Sequence, residues 1–477
     1  INFANNSVAL QTPRMNFEQV NGQLSFENDK INIKSLTLNW QELPLTLTVT
    51  GSDKLDYYDT NITLTADWNK NNWLPHVFPD LQKYLDGELQ WQGDLSLYQH
   101  HSGDFAYQFK IDSDLEKMAL TLPEPYKKLA QVRVPLTVEV NGALAQSTFN
   151  ASYGEQLRFF GVLAHETNHF SRAHIILGDE KMLLPMNGFH ITTSLEQADA
   201  HVWQPLISDI INTVSALQTP ENIDNVIAQS PALFSKPERI RGTVTKLDLL
   251  GQRLHNVSFN LLDKTNWWLL ELNAKETRSQ IKFYPDWFEQ GIDINADFIH
   301  LASQQQSPSK EQAVQQSIPQ LIQKKLQPNE PPAPLIIDDN VFANMPKIKF
   351  HCDRCQIDKL NLGEVDFSVL RTDENTIQIE RFNAKRERAE FNLSGTWQKE
   401  GDISTTSVNG ALSLKNIESE LEQLGYGSII RDSGGKLDFD LNWQGGPHDF
   451  SVSQLNGDIN AKIDDGYLAE YSDTARI

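Results

Sequence analysis

The clearest chemical pattern in the chain is His165-Glu166-Thr167-Asn168-His169, which matches the H-E-x-x-H arrangement of zinc hydrolases. That chemistry needs a helix, on which two histidines four apart share a face and the Glu reaches a metal-bound water. The setting here is different. Residues 159–163 and 174–178 are apolar runs of strand character, and Thr167-Asn168 between them suits a turn. The pattern predicts a solvated hairpin tip, with a zinc hydrolase at His165, Glu166 and His169 as the remote alternative. His174 as a third ligand misses the metzincin spacing by one.

Cys352 and Cys355 are the only cysteines. As C-x-x-C they could be a redox pair, half a zinc site with His351, a small local disulfide or two free thiols. The redox pair wants a helix start after a strand, and no second cysteine pair completes a zinc site. The local disulfide and the free thiols therefore stay open. Trp91, Trp267, Trp268 and Trp287 could stack on sugars, and carboxylates are abundant, so a secreted β-rich glycan-binding or structural module is an alternative. Trp at alternating positions more often lines an apolar face. No Gly-rich phosphate loop follows a strand, and there is no G-x-S-x-G elbow. The chain is read as not an enzyme, with no catalytic residue, no metal and no cofactor.

The elements that would position these residues are strands. Leu45, Leu47 and Val49 alternate with threonines, as do Ile62, Leu64 and Ala66 with polar residues. Phe105, Tyr107, Phe109 and Ile111 continue the pattern, then Val134, Leu136, Val138 and Val140. Leu437, Phe439, Leu441 and Trp443 are separated by Asp438, Asp440 and Asn442. Such alternation puts apolar side chains on one face of an antiparallel sheet and polar ones on the other. It predicts on the order of twenty to twenty-five strands. Asn-Gly pairs at 21–22, 141–142, 409–410 and 456–457 are expected to be hairpin turns.

Helices are expected to be few. Trp203, Leu206, Ile207, Ile210, Ile211, Val214 and Leu217 form one helical stripe, which 223–227 could extend. Shorter candidates are 73–85, 314–326 and 417–424. Residues 302–334 are rich in Gln, Ser and Pro and read as a linker or loop. The expected organisation is a repetitive β segment at 1–301 with a helical insert near 202–230, that linker, and a second β segment at 335–477. A weak repeat relates Leu89-Gln90-Trp91-Gln92-Gly93 to Leu441-Asn442-Trp443-Gln444-Gly445, each after a short helix candidate, which suggests growth in one direction.

The formal net charge is −22. It disfavours nucleic acid, which needs a basic stripe, and flat docking on an anionic bilayer. No stretch approaches the roughly 18 apolar residues of a membrane-spanning helix. The chain starts at Ile1 without a Met and is taken as an excerpt, incomplete at its C-terminus.

Several segments carry a family likeness. These are Leu424-Gly425-Tyr426, the alternating strand from Gly434-Gly435 to Trp443, Leu455-Asn456-Gly457-Asp458-Ile459, and Asp465-Gly466-Tyr467-Leu468. Upstream, Cys352-Asp353-Arg354-Cys355, Leu362-Gly363, Val365-Asp366-Phe367 and Phe391-Asn392-Leu393-Ser394-Gly395-Thr396-Trp397 extend it. Together they resemble the YhdP branch of the AsmA-like family, most closely over 340–477 and more loosely over 1–300. The resemblance implies a long periplasmic body tied to the inner membrane by a segment outside this chain. It also implies phospholipid as the ligand, movement of that lipid between inner and outer membranes, and periplasmic or outer-membrane partner proteins. It carries no catalytic residues.

The fold class it implies is mainly β, a long, twisted, elongated antiparallel sheet forming an open hydrophobic groove, with a few short amphipathic helices. Alternation by itself favours sandwiches or barrels with dry cores; the resemblance turns the expectation to the groove. The lipid-groove candidates are Leu437, Phe439, Leu441, Trp443, Leu89, Trp91, Phe105, Tyr107, Phe109, Val134, Leu136 and Val138. The need for such a surface is large, because exposing one sixteen-carbon chain costs about 12 kcal/mol at about 0.8 kcal/mol per methylene.

Overall fold

The computed structural model describes residues 1–11, 14–40, 42–69, 79–179, 187–216, 234–249, 252–284, 286–301, 342, 345–358, 360–401, 403–423 and 430–468. Among them are twenty-seven strands and few helices. The linker expected at 302–334 lies outside the described residues. So do the helix expected at 314–326, the extension at 223–227 and residues 73–78 of the helix expected at 73–85, whose described part, Pro79–Tyr84, is a short 3-10 helix. The chain forms two compact units, Ile1–Leu262 and Asp263–Ile477.

In the first unit, β1 (Asn2–Gln11), β2 (Arg14–Glu27), β3 (Lys30–Trp40), β4 (Leu43–Asp53), β5 (Tyr57–Asn69), β6 (Leu85–His100) and β7 (Phe105–Ser113) pair in order as an antiparallel meander. The short β8 (Met118–Leu120) pairs with the start of β6. β9 (Leu136–Ala143) then lies beside β7, and β10 (Gln146–Tyr153), β11 (Leu157–Ala164) and β12 (His169–Leu177) follow antiparallel. Val134, expected in a strand, precedes β9.

β13 (Gly188–Asp199) runs parallel to β12, and β14 (Arg239–Leu249) parallel to β13, before β15 (Gln252–Asp263) closes the run antiparallel. The sheet is therefore mixed rather than wholly antiparallel. Between β13 and β14 the chain leaves as the helix α1 (Ala200–Ala216) and returns in the same direction, as a crossover requires.

α1 starts where Asp199 Oδ1 accepts the His201 N–H at 2.9 Å, satisfying one orphan donor of the first turn. Its stripe is only partly used: Leu206 is buried, whereas Val202, Ile207 and Ile210 are exposed. Asp209 fastens it, accepting from Tyr84 Oη at 2.5 Å and pairing with Lys83 Nζ at 2.8 Å. Lys83 and then Tyr84 hold the Asp209 carboxyl below its ordinary range.

The second unit contains β16 (Trp268–Asn273), β17 (Thr277–Phe283), the short helix α2 (Trp287–Gln290) and β18 (Ile292–Leu301), to which β19 (Ile348–Ile357) adds in parallel. β20 (Leu360–Asp373), β21 (Thr376–Lys385), β22 (Ala389–Glu400) and β23 (Ile403–Leu414) continue antiparallel. After α3 (Ile417–Gln423), β25 (Gly435–Gln444) pairs with β23 and β26 (Asn456–Ile463) pairs with β25. β24 (Ile430–Arg431) and β27 (Tyr467–Leu468) form a separate small ladder.

The Asn-Gly pairs are not the expected hairpin turns. Gly22, Gly142 and Gly410 lie inside β2, β9 and β23, and Gly457 lies at the start of β26. Close approach is the reason at two of them. A Cβ on Gly142 would meet the Tyr107 ring at 2.3 Å, and one on Gly410 would meet Asn392 O at 2.1 Å and Phe439 Cζ at 2.8 Å. These glycines let a neighbouring ring cross the strand.

Candidate functional site

Each unit presents one apolar face, and on it side chains stand in register from strand to strand. In the second unit, one row of directly opposed residues crosses ten strands. It begins Leu270, Ile281, Ile294, Phe350, Phe367 on β16 to β20 and continues Phe382, Leu393, Gly410, Phe439, Ile459 on β21, β22, β23, β25 and β26. Rings along it and beside it adjoin in sequence: Phe350 stacks on Phe367 with centroids 4.6 Å apart and Phe367 on Phe382 at 6.4 Å, while Phe391, two residues before Leu393 on β22, lies edge-on to Phe382 at 5.9 Å and stacks on Phe439 at 5.8 Å. At about 4.8 Å per strand, five strand steps give roughly 24 Å of continuous hydrocarbon surface.

The first unit has a comparable row over nine strands. It runs through Val49, Ile62, Leu95, Phe109, Val140, Phe149, Gly161, Ala173 and Phe189 on β4 to β7 and β9 to β13. Its far part is covered by the protein itself. Phe170 is buried over Gly161 and stacks on Phe234 at 4.6 Å, and Phe234 also meets Phe159 and Phe189.

Eleven of the twelve groove candidates are half-buried, and only Trp443 is buried, at 5% exposure. Half-burial is what one layer of strands leaves when its apolar face is not fully plugged. Leu437, Phe439 and Leu441 project from β25 on that face, while Asp438, Asp440 and Asn442 are exposed on the other. Trp443 is closed in because its indole N–H donates to Gly446 O at 2.9 Å and Phe450 lies edge-on to it at 5.4 Å.

Phe105, Tyr107, Phe109 and Val138 sit in the half-open part of the first unit. Leu89, Val134 and Leu136 instead pack against a dry cluster of Leu115, Met118, Leu120, Tyr126 and Tyr153, over which α1 brings Trp203 edge-on to Tyr126. Burial raises the Tyr126 phenol to about 12. Trp91 meets Trp68 edge-on at 5.2 Å beside another cluster formed by Val20, Leu36, Leu38 and Leu45.

One polar chain interrupts the apolar face of the first unit. Tyr107 Oη lies 2.5 Å from Ser147 Oγ, which lies 2.6 Å from His165 Nε2, and His165 Nδ1 lies 2.9 Å from Leu144 O. Both nitrogens of His165 are therefore engaged. His165 and Glu166 occupy the turn between β11 and β12, and His169 opens β12, so the H-E-x-x-H residues share no helical face. His165→Ala is expected to leave the zinc content of the purified protein unchanged by elemental analysis. Loss of a bound zinc in that variant would restore the hydrolase alternative.

Cys352 and Cys355 form a disulfide within β19. They sit at a bulge, where the register jumps from Cys352↔Val365 to Cys355↔Gly363, and this brings the two Cα atoms to 5.9 Å. Both sulfurs belong to the apolar face, packed with Ala296, Val365 and Ala384. Of the tryptophans considered for sugar stacking, Trp267 carries the Lys282 ammonium 4.9 Å from its ring centroid. Trp91 is occupied by Trp68.

Sequence reasoning missed most of the aromatic row. Phe350, Phe367, Phe382 and Phe391 lie on four successive strands, and each has the inward parity of its own strand. Pairing those parities across neighbouring strands was the available signal.

The full length of the chain, residues 1–477, matches the family model described as YhdP protein. The chain belongs to the YhdP family. Among curated proteins it is similar to "Intermembrane phospholipid transporter YhdP" of Escherichia coli (strain K12), with 22% identity over 487 residues. That match covers 98% of this chain and 34% of the relative, so the chain spans about a third of the length of the curated YhdP it matches. No solved structure matches this YhdP-family chain. The relative is named as a transporter rather than an enzyme, in agreement with the expectation that this chain is not one. No helix among the described residues is long and apolar enough to cross a membrane.

Proposed function

We propose that this chain is the periplasmic portion of an inner-membrane-anchored protein that holds phospholipid acyl chains in its apolar troughs and passes them between the inner and outer membranes. The observation that carries this reading is the row of opposed apolar residues crossing the strands of each unit, half-buried from Leu270 to Phe439 in the second. A trough of this kind lets each methylene exchange one apolar contact for another as a chain advances. A single pocket would have to return it to water at about 0.8 kcal/mol per methylene. The formal net charge of −22 disfavours flat docking on an anionic bilayer surface. That suits a carrier which meets membranes only at defined ends. The name of the relative supports phospholipid as the cargo.

The test is mass spectrometry of lipid extracted from the purified chain. Phospholipid in stoichiometric amount is expected. A protein purified from lipid-containing cells with no bound phospholipid, and none taken up from labelled vesicles, would overturn the reading. The glycan-binding alternative predicts instead that Trp267→Ala abolishes retention on a polysaccharide matrix.

A further inference from the structure

On the polar face of the second unit, away from the trough, β19 and β20 bring a histidine and two carboxylates together. His351 and Asp366 are directly opposed across the ladder, and Glu364 lies two residues from Asp366, on the same face. The three offer one ligand atom each, all within 4.8 Å of one another, and all remain at least partly open to solvent. His351 Nδ1 lies 2.9 Å from Asp366 Oδ1.

A second observation concerns the other ring nitrogen. His351 Nε2 lies 3.1 Å from Asp353 Oδ1. A carboxylate on the far nitrogen of an imidazole fixes its tautomer and orientation, which is the usual outer support of a metal-bound histidine. Asp353 lies between the two cysteines, on the bulge that the Cys352–Cys355 disulfide spans. The neighbouring cation is directed elsewhere: Arg354 donates to Asp297 O at 3.4 Å and lies over the Phe298 ring at 5.8 Å.

We propose that His351, Glu364 and Asp366 bind a divalent transition-metal ion of the zinc class, with Asp353 as the carboxylate that orients the imidazole. One imidazole nitrogen with two carboxylate oxygens suits zinc and its first-row neighbours. Calcium and magnesium prefer all-oxygen shells. Three protein ligands on an open face leave a fourth position for water or for a donor from another molecule. The ion would pin β19 to β20 on the face opposite the disulfide and would stabilise the folded unit by mass action. This inference stands apart from the lipid reading, since the ligands face away from the apolar row.

The experiment is isothermal titration of the full chain, first stripped with chelator, using zinc chloride, with elemental analysis of the dialysed protein. One zinc per chain at about micromolar affinity or tighter is expected. His351→Ala and Asp366→Asn should remove that site. Asp353→Asn should weaken it by about 10- to 100-fold, the range for loss of an orienting partner. His165→Ala should bind zinc as the parent does, and circular dichroism should show all variants folded. Absence of zinc binding by the parent chain, or retention of the full stoichiometry by folded His351→Ala, would overturn the proposal.

Discussion

Phe439→Asp should lower the phospholipid recovered with the purified chain at least about tenfold, while Asp440→Asn leaves it unchanged. The two residues are neighbours on β25 but occupy opposite faces: Phe439 is half-buried in the aromatic row and Asp440 is exposed. Phe439 rests on Phe391 at 5.8 Å and lies directly opposite Gly410. A carboxylate there removes the ring that acyl methylenes would cover and sets an uncompensated charge beside hydrocarbon, which costs several kcal/mol. Only about 1.4 kcal/mol is needed for a tenfold loss of occupancy. Lipid mass spectrometry, normalised to protein that elutes as the parent does, checks the result. Equal losses from both substitutions would show that the apolar face has no special part in binding.

Trp397→Ala is expected to destabilise the second unit by about 3–5 kcal/mol, the cost of emptying a buried Trp site. Trp397 is buried, its ring centroid 4.6 Å from that of Phe342, beside Ile377, Met345 and Val369. It lies at one end of the strands, away from the row that carries the proposed lipid contacts. For a unit of this size the midpoint of its thermal transition should fall by about 10 °C. Calorimetry checks this, and a shift of only a degree or two would mean that the site collapses readily around the missing indole. Lipid occupancy at low temperature should stay near that of the parent, which separates loss of stability from loss of binding.

The strand rhythm was legible because the side-chain period of a strand is two. Leu437, Phe439, Leu441 and Trp443 needed no neighbour to declare a common face. The stripe from Trp203 was legible for the corresponding reason on a helix. The Asn-Gly pairs misled because Gly serves two physical ends. It allows a tight turn, and it also makes room for a crossing ring, as Gly142 does for Tyr107. Which of the two applies depends on the partner strand. The parallel pairings of β13 and β19 were also hidden, since direction is set by how the chain re-enters the sheet and not by alternation.

Local spacing therefore determined that this chain is built of strands with one oily side, and its motifs carried the likeness to the YhdP family. Tertiary structure alone decided which of those oily residues stand opposite one another. It turned scattered phenylalanines into one row, closed Leu89 and Leu136 beneath Tyr126 and Trp203, and drew His351, Glu364 and Asp366 together. The physical reason is that strand register and loop packing join residues far apart in sequence, and such long-range pairing leaves no periodic trace along the chain.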